Sequence, residues 1–145
     1  MVFGRKNERR GGAAVELVVL FPLILLILIG VVDYGRVFYT SVTVANAARA
    51  GADWGAFNGA VTETDTAAWK TVAQTDGAEA GTLTFTPRWF CECAGAAHSC
   101  TACTGGAAPE VYVELTASKT VTTFFSYPGL PSSITVSRKA IFRSQ

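Results

Sequence analysis

Four cysteines lie within thirteen residues of this 145-residue chain, in CECAGAAHSCTAC: Cys91, Cys93, Cys100 and Cys103. Two chemistries use such a cluster. A four-thiolate zinc site wants ligand pairs spaced by about two to four residues, and Cys100-x-x-Cys103 qualifies. Cys91-x-Cys93 is one residue too tight, and His98, the single histidine, sits at an irregular offset for a substitute ligand. The other chemistry is oxidation to two disulfides. An even number of cysteines in a small, loop-rich domain pairs wherever the compartment oxidises thiols, so location decides between the two. Four cysteines allow three pairings, and the sequence does not separate them. In an extended strand Cys91 and Cys93 point to the same side, and each can reach across the loop. Each crossing bond would close a ring of about ten residues, which chain entropy makes worth a little under 3 kcal/mol. A Cys-x-x-Cys redox centre is a third option, without the flanking basic residues that activate a thiol.

Other reactive groups are sparse. One histidine leaves little room for His-based catalysis, and Asp76 and Glu79 have no base or nucleophile beside them and read as solvated helix charge. The net charge of +1 hides an asymmetry: residues 1–12 carry Arg5, Lys6, Arg9 and Arg10 against Glu8, leaving eight basic and ten acidic side chains for the rest. No basic face remains for a nucleic-acid backbone, and no motif implies a cofactor or a metal ion. The sequence reads as neither an enzyme nor a nucleic-acid binder.

The apolar residues are concentrated. Half of the chain is hydrophobic and only 16% is charged, below the usual quarter. Fourteen of the sixteen residues from Leu17 to Val32 are Leu, Ile, Val or Phe. As a helix, Ala13 to Val32 would cover about 30 Å, one hydrocarbon core. Its apolar side chains favour insertion by very roughly 4–8 kcal/mol, against about 3 kcal/mol at most for Glu16, which lies near the edge. The lipid bilayer is the first partner implied. Four basic residues before the span and only Arg36 close behind it place Met1 in the cytoplasm and Asp33 onward outside. Tyr34, Phe38 and Tyr39 then fall at the outer interface, and Pro22 removes one helical hydrogen bond within the span. A cleaved secretory signal would have a shorter apolar core and small residues soon after it. Here the run ends in Asp33-Tyr34-Gly35-Arg36, and Ala45-Asn46-Ala47 comes a dozen residues later.

Before the span stands RRGGAAVEL, with Gly11, Gly12 and Glu16 in sequence after basic residues. This resembles the class III signal of type IV pilins and their relatives. The resemblance implies cytoplasmic cleavage by a prepilin peptidase, with Gly11 last in the leader and Glu16 fifth in the mature chain. Glu16 would then pair with the new amino terminus of an adjacent subunit. The alternative is a glutamate that snorkels to the headgroups. The longer stretch Arg10 to Ala52 resembles the TadE-like family, minor pilin-like proteins of the tight-adherence (Tad) pilus and secretion system. The residues carrying the likeness are Gly-x-Ala-Ala-Val-Glu before the span, Pro22 inside it, Asp33-Tyr34-Gly35-Arg36 behind it, and Asn46-Ala47-Ala48-Arg49 followed by Gly51-Ala52. It implies other pilin-like subunits and the pilus assembly machinery as partners, and the cytoplasmic membrane as location.

Beyond the span, Val37 to Phe57 is alanine-rich and reads as continued helix, with Asn46, Arg49 and Asp53 facing water. After Asn58-Gly59 the texture changes. Thr64 or Asp65 can cap a short helix with Trp69, Val72 and Ala73 on one stripe, Trp69 as a core anchor, and Gly77 and Gly81 around its end. Alternation marks strands at Thr82 to Phe90, Glu110 to Ala117 and Ile134 to Phe142, the last with Arg138 as the exception on its apolar face. Tyr127-Pro128-Gly129-Leu130-Pro131 is turn chemistry. The expected architecture is α+β and pilin-like: a long transmembrane helix continuing outside the membrane, then a short helix packed on a small antiparallel sheet. The expected organisation is a basic cytoplasmic leader at 1–12, the helix and its extension at 13–57, and an extracytoplasmic domain at 58–145 with its cysteine-rich loop at 91–103. Two functions fit: a bitopic pseudopilin-like subunit of a Tad-type pilus, or a single-pass binding module displayed outside the membrane without pilus assembly.

Overall fold

The computed structural model describes residues 9–58, 66–100, 102–124, 129 and 131–144, without the side chains of residues 9–11 and 13. Most of the basic leader, the Thr64/Asp65 cap and most of the Tyr127–Pro131 turn lie outside the described residues. The chain divides into two compact units, Met1–Arg36 and Val37–Gln145. Helix α1 is assigned from Arg9 to Phe57 and runs unbroken through Pro22. It ends where Asn58 caps it, the backbone N–H and the side-chain amide both donating to the Trp54 carbonyl, at 3.0 and 2.9 Å.

In the second unit the order is the α1 segment from Val37, α2 (Thr66–Asp76), a single 3-10 turn (Ala78–Ala80), and strands β1 (Thr84–Cys93), β2 (Ala96–His98), β3 (Glu110–Thr122) and β4 (Ser133–Arg143). The strands form one antiparallel sheet in the order β2-β1-β3-β4. This is the expected α+β class. The expected short helix packs on the sheet, and the α1 segment from Val37 shares the cover. Val44, Ala47, Ala48 and Ala52 of α1 pack with Leu83, Ala73 and the strand residues Leu115, Ala117 and Ala140. Small alanines let α1 lie close to β3, and α2 adds Trp69, clustered with Ala56 and Val113.

Two glycines admit α2. A Cβ on Gly51 would come within 2.9 Å of the Ala73 Cβ, and one on Gly55 within 2.7 Å of the Trp69 ring. Gly51-Ala52-Asp53-Trp54-Gly55 thus gives α1 a groove, one turn long, in which the fully buried Trp69 rests. Gln74 ties down the chain after α2, its amide donating to the Gly81 carbonyl at 3.0 Å and its oxygen accepting from the Leu83 N–H at 3.0 Å. Pro87 falls in the stretch of β1 that β2 does not reach, an edge position where proline is tolerated.

The strands depart from expectation in extent. β1 begins two residues later than the alternation suggests and runs on to Cys93, and β3 continues to Thr122. β2 was not expected at all. Ala94 to Ala97 reads in sequence as a coreless excursion, but Cys93 pairs with Ala96 across a two-residue turn with φ of 51° at Ala94 and 79° at Gly95. Positive φ at both positions matches the right-handed twist of a hairpin, and glycine takes the second without strain. All three residues of β2 are exposed, so apolar burial does not hold it.

Candidate functional site

Two regions carry the chemistry: the start of α1 and the cysteine loop. Gly11 and Gly12 are helical, and nothing comes within 4 Å of where a Gly12 Cβ would stand. Gly12 and Glu16 are one helical step of four apart, so they share a face, and both are exposed. Past Glu16 the helix is apolar on every side. From Val15 to Leu28 each large hydrophobic side chain is between 41 and 71% exposed. An all-round apolar helix without a protein cover is a candidate membrane span, and α1 is the single described helix long and apolar enough to be one. Tyr34, Phe38 and Tyr39 behind it are also exposed.

The four cysteines form two disulfides, Cys91–Cys100 and Cys93–Cys103, with Cα–Cα distances of 5.2 and 5.8 Å. Of the three pairings left open by the sequence, this is the interlaced one. Register explains it. Cys91 and Cys93 are two apart on β1 and share a side, and the β2 hairpin turns the chain back so that the following loop passes both. With all four sulfurs in disulfides no thiolate remains to bind zinc. His98 is exposed, with Nδ1 2.7 Å from the Ser99 carbonyl oxygen.

The sheet face away from α1 is solvated and charged. Phe90 and Tyr112, a cross-strand pair, stack at 5.4 Å between ring centroids, and the Arg88 guanidinium lies 5.6 Å from the Phe90 ring centre. Lys139 pairs with Glu114 at 3.4 Å and Arg143 with Glu110 at 3.0 Å. The Tyr112 hydroxyl donates to Glu110 at 3.0 Å. That hydrogen bond, with burial and the carboxylate charge behind it, holds the Tyr112 pKa above its ordinary 10.0. At the end of α1 a shallow cleft of about 210 Å³ is lined by Asp53, Ala56, Phe57, Phe142 and Arg143.

The structure uses several polar residues that sequence reasoning left idle. Glu79, read only as solvated charge, accepts from the Tyr39 hydroxyl and so ties α1 to the turn after α2. Lys119 donates to the Thr82 carbonyl at 2.9 Å, and Arg138 to Ser41 Oγ at 2.6 Å. These contacts span 37 to 97 residues, beyond the reach of local spacing.

Comparison with curated proteins gives no match, and comparison with solved structures gives none. Protein-family models do: the model for TadE-like proteins matches residues 11–53 of this chain, which take in Gly11, Gly12, Glu16, the exposed apolar stretch and the segment that packs on the sheet.

Proposed function

We propose that this chain is a single-pass membrane subunit of a Tad-type pilus or secretion apparatus, a pilin-like structural part engaged in its assembly or anchoring. One coincidence carries the reading. The stretch matching the TadE-like model contains both the exposed apolar helix and, at its start, the Gly11-Gly12 and Glu16 spacing of a pilin signal.

In this reading residues 1–12 stay cytoplasmic, residues 13–57 cross and leave the membrane, and residues 58–145 sit in an oxidising space. The concentration of basic residues before the span supports the orientation. The two disulfides support the compartment. Adjacent glycines at the cut have a physical rationale, because a protease needs its substrate extended. Each glycine costs a helix about 0.8–1 kcal/mol relative to alanine, so this end of α1 unwinds most cheaply. After the cut, the amino group of one subunit and the Glu16 carboxylate of its neighbour are the charge pair that fixes their relative height in the bilayer. Partners in this account are the bilayer, other pilin-like subunits, the assembly machinery and a prepilin peptidase.

The test is the amino terminus of the protein made in cells that hold the peptidase. Mass spectrometry should find a chain starting at Gly12, unchanged when ordinary signal peptidase is inhibited. An intact Met1, or a terminus near Ala47, contradicts the proposal and favours a membrane-anchored binding module.

A further inference from the structure

The two edges of the sheet are protected unequally. On one side β1 runs past the short β2 and carries Pro87, which has no N–H to offer. On the other, β4 is eleven residues long, lacks glycine and proline, and holds an unbroken register with β3 from Ser133 to Arg143. Its outer backbone groups face no other strand among the described residues. An edge of this length and regularity is a template for another strand.

On the helix-facing side β4 reads Ile134, Val136, Arg138, Ala140, Phe142, apolar except at its middle residue. Val136 and Ala140 are buried, while Ile134 and Phe142 remain 40% and 36% exposed. The order is the same by residue type from either end. An antiparallel partner of identical sequence, centred on residue 138, would set Ile134 against Phe142 and Val136 against Ala140 on both sides of the centre. It would also set Arg138 against Arg138. The other two cations of the strand are neutralised, Lys139 by Glu114 and Arg143 by Glu110. Arg138 donates instead to neutral oxygens, Ser41 Oγ at 2.6 Å and the Ser137 carbonyl at 3.1 Å, and among the described residues no carboxylate pairs with it.

We propose that the β4 edge is a self-complementary pairing surface for a second copy of this chain, held closed by the charge of Arg138 at its centre. Directly opposed residues on paired antiparallel strands have Cβ atoms about 4.5–5.5 Å apart, so two guanidiniums that no carboxylate among the described residues neutralises would meet there and repel. A charge directed toward the covered face of an edge strand is a recognised guard against such pairing. The inference does not draw on the pilus reading: the two-fold axis of such a pair is normal to the sheet and sets the two α1 segments, which pack on that sheet, in opposite directions, so the guard acts between chains that do not share one bilayer orientation.

The test uses the full chain in detergent micelles, comparing wild type with Arg138→Val, Arg138→Gln and Ser41→Ala by sedimentation and by hydrogen exchange. Association through the apolar helix is common to all four proteins and cancels in the comparison. Arg138→Val should double the protein mass per particle, and slow exchange by about tenfold or more at β4 amides that are not bonded to β3. Pairing consumes both edges, so growth stops at two copies. Arg138→Gln loses the charge but retains a donor for Ser41, and should pair as well, which keeps the test decisive should the valine variant misfold. Ser41→Ala keeps the charge and should behave as wild type. Wild-type mass and exchange in both Arg138 variants would overturn the proposal. So would pairing by Ser41→Ala, or open-ended aggregation in place of a dimer.

Discussion

Gly55→Ala places one methyl group where α1 meets α2. Its Cβ would stand 2.7, 2.9 and 3.0 Å from Cε2, Cδ2 and Cζ2 of the Trp69 indole. Carbon atoms prefer separations of about 3.5–4.0 Å, so the helices must part by something near an ångström. Trp69 has no exposed surface, and its ring has nowhere to turn. Overpacking of this kind costs about 1–3 kcal/mol, and the better helix propensity of alanine returns at most about 0.8–1 kcal/mol. The expected net loss is about 0–2 kcal/mol, with the short contacts to a fully buried ring favouring the upper end, read as a lower midpoint in urea unfolding followed by circular dichroism of the full chain in detergent. Gly35→Ala is the control, since its Cβ meets nothing within 4 Å, and should leave the midpoint of the sheet-containing unit unchanged. Trp69→Leu in the Gly55→Ala background should recover most of the alanine cost, giving a coupling of about 1 kcal/mol between the two sites. If Gly55→Ala proves as stable as Gly35→Ala, the close approach of the two helices is not real and the groove argument fails.

Three further outcomes are expected. Alkylation of the native protein should modify none of the four cysteines until reductant is added; breaking each disulfide should cost a little under about 3 kcal/mol on chain-entropy grounds, and exchange protection should vanish first at Ala96–His98. Zinc binding with ready labelling would contradict that assignment. Tyr112 holds its proton above the ordinary value, so the stability it confers is complete below the unfolded pKa and is lost as pH rises through the folded one; an alkaline absorbance titration of Glu110→Ala should show one tyrosine ionising at lower pH than in wild type, and superimposable curves would refute the link. Glu16→Ala should insert normally yet fail to enter the assembled apparatus, measured by membrane fractionation against sheared surface material, whereas normal incorporation supports the snorkelling alternative.

What was legible in the sequence was local. Fourteen apolar residues in sixteen mark a candidate span without any knowledge of what surrounds it. Trp69 and Ala73 are buried in α2 as their helical spacing requires, and Val136 and Ala140 are buried on β4 with Arg138 on the same face. Elsewhere local preference gave way to tertiary geometry. Ala96–His98 has little intrinsic strand character, and the flanking disulfides hold it in place. Gly51 and Gly55 look like helix breakers, yet α1 passes through both because Leu115 of β3 and α2 need the space their missing side chains leave. The pairings of Tyr39 with Glu79, Lys119 with Thr82 and Arg138 with Ser41 depend on how the elements dock, which no spacing encodes. At the start of α1 the reverse holds. The proposed processing signal, Gly11, Gly12 and Glu16, is recognisable by order alone, because a peptidase would read a short segment rather than a fold.

The proposed role rests on a single crossing of the membrane with the amino terminus inside, and a dual reporter fused after Gln145 tests it most directly. A phosphatase that folds only when its own disulfides form should be active, and a fluorescent protein that folds only in the cytosol should stay dark. A dark phosphatase and a bright fluorescent protein would place the cysteine loop in a reducing space and contradict the account.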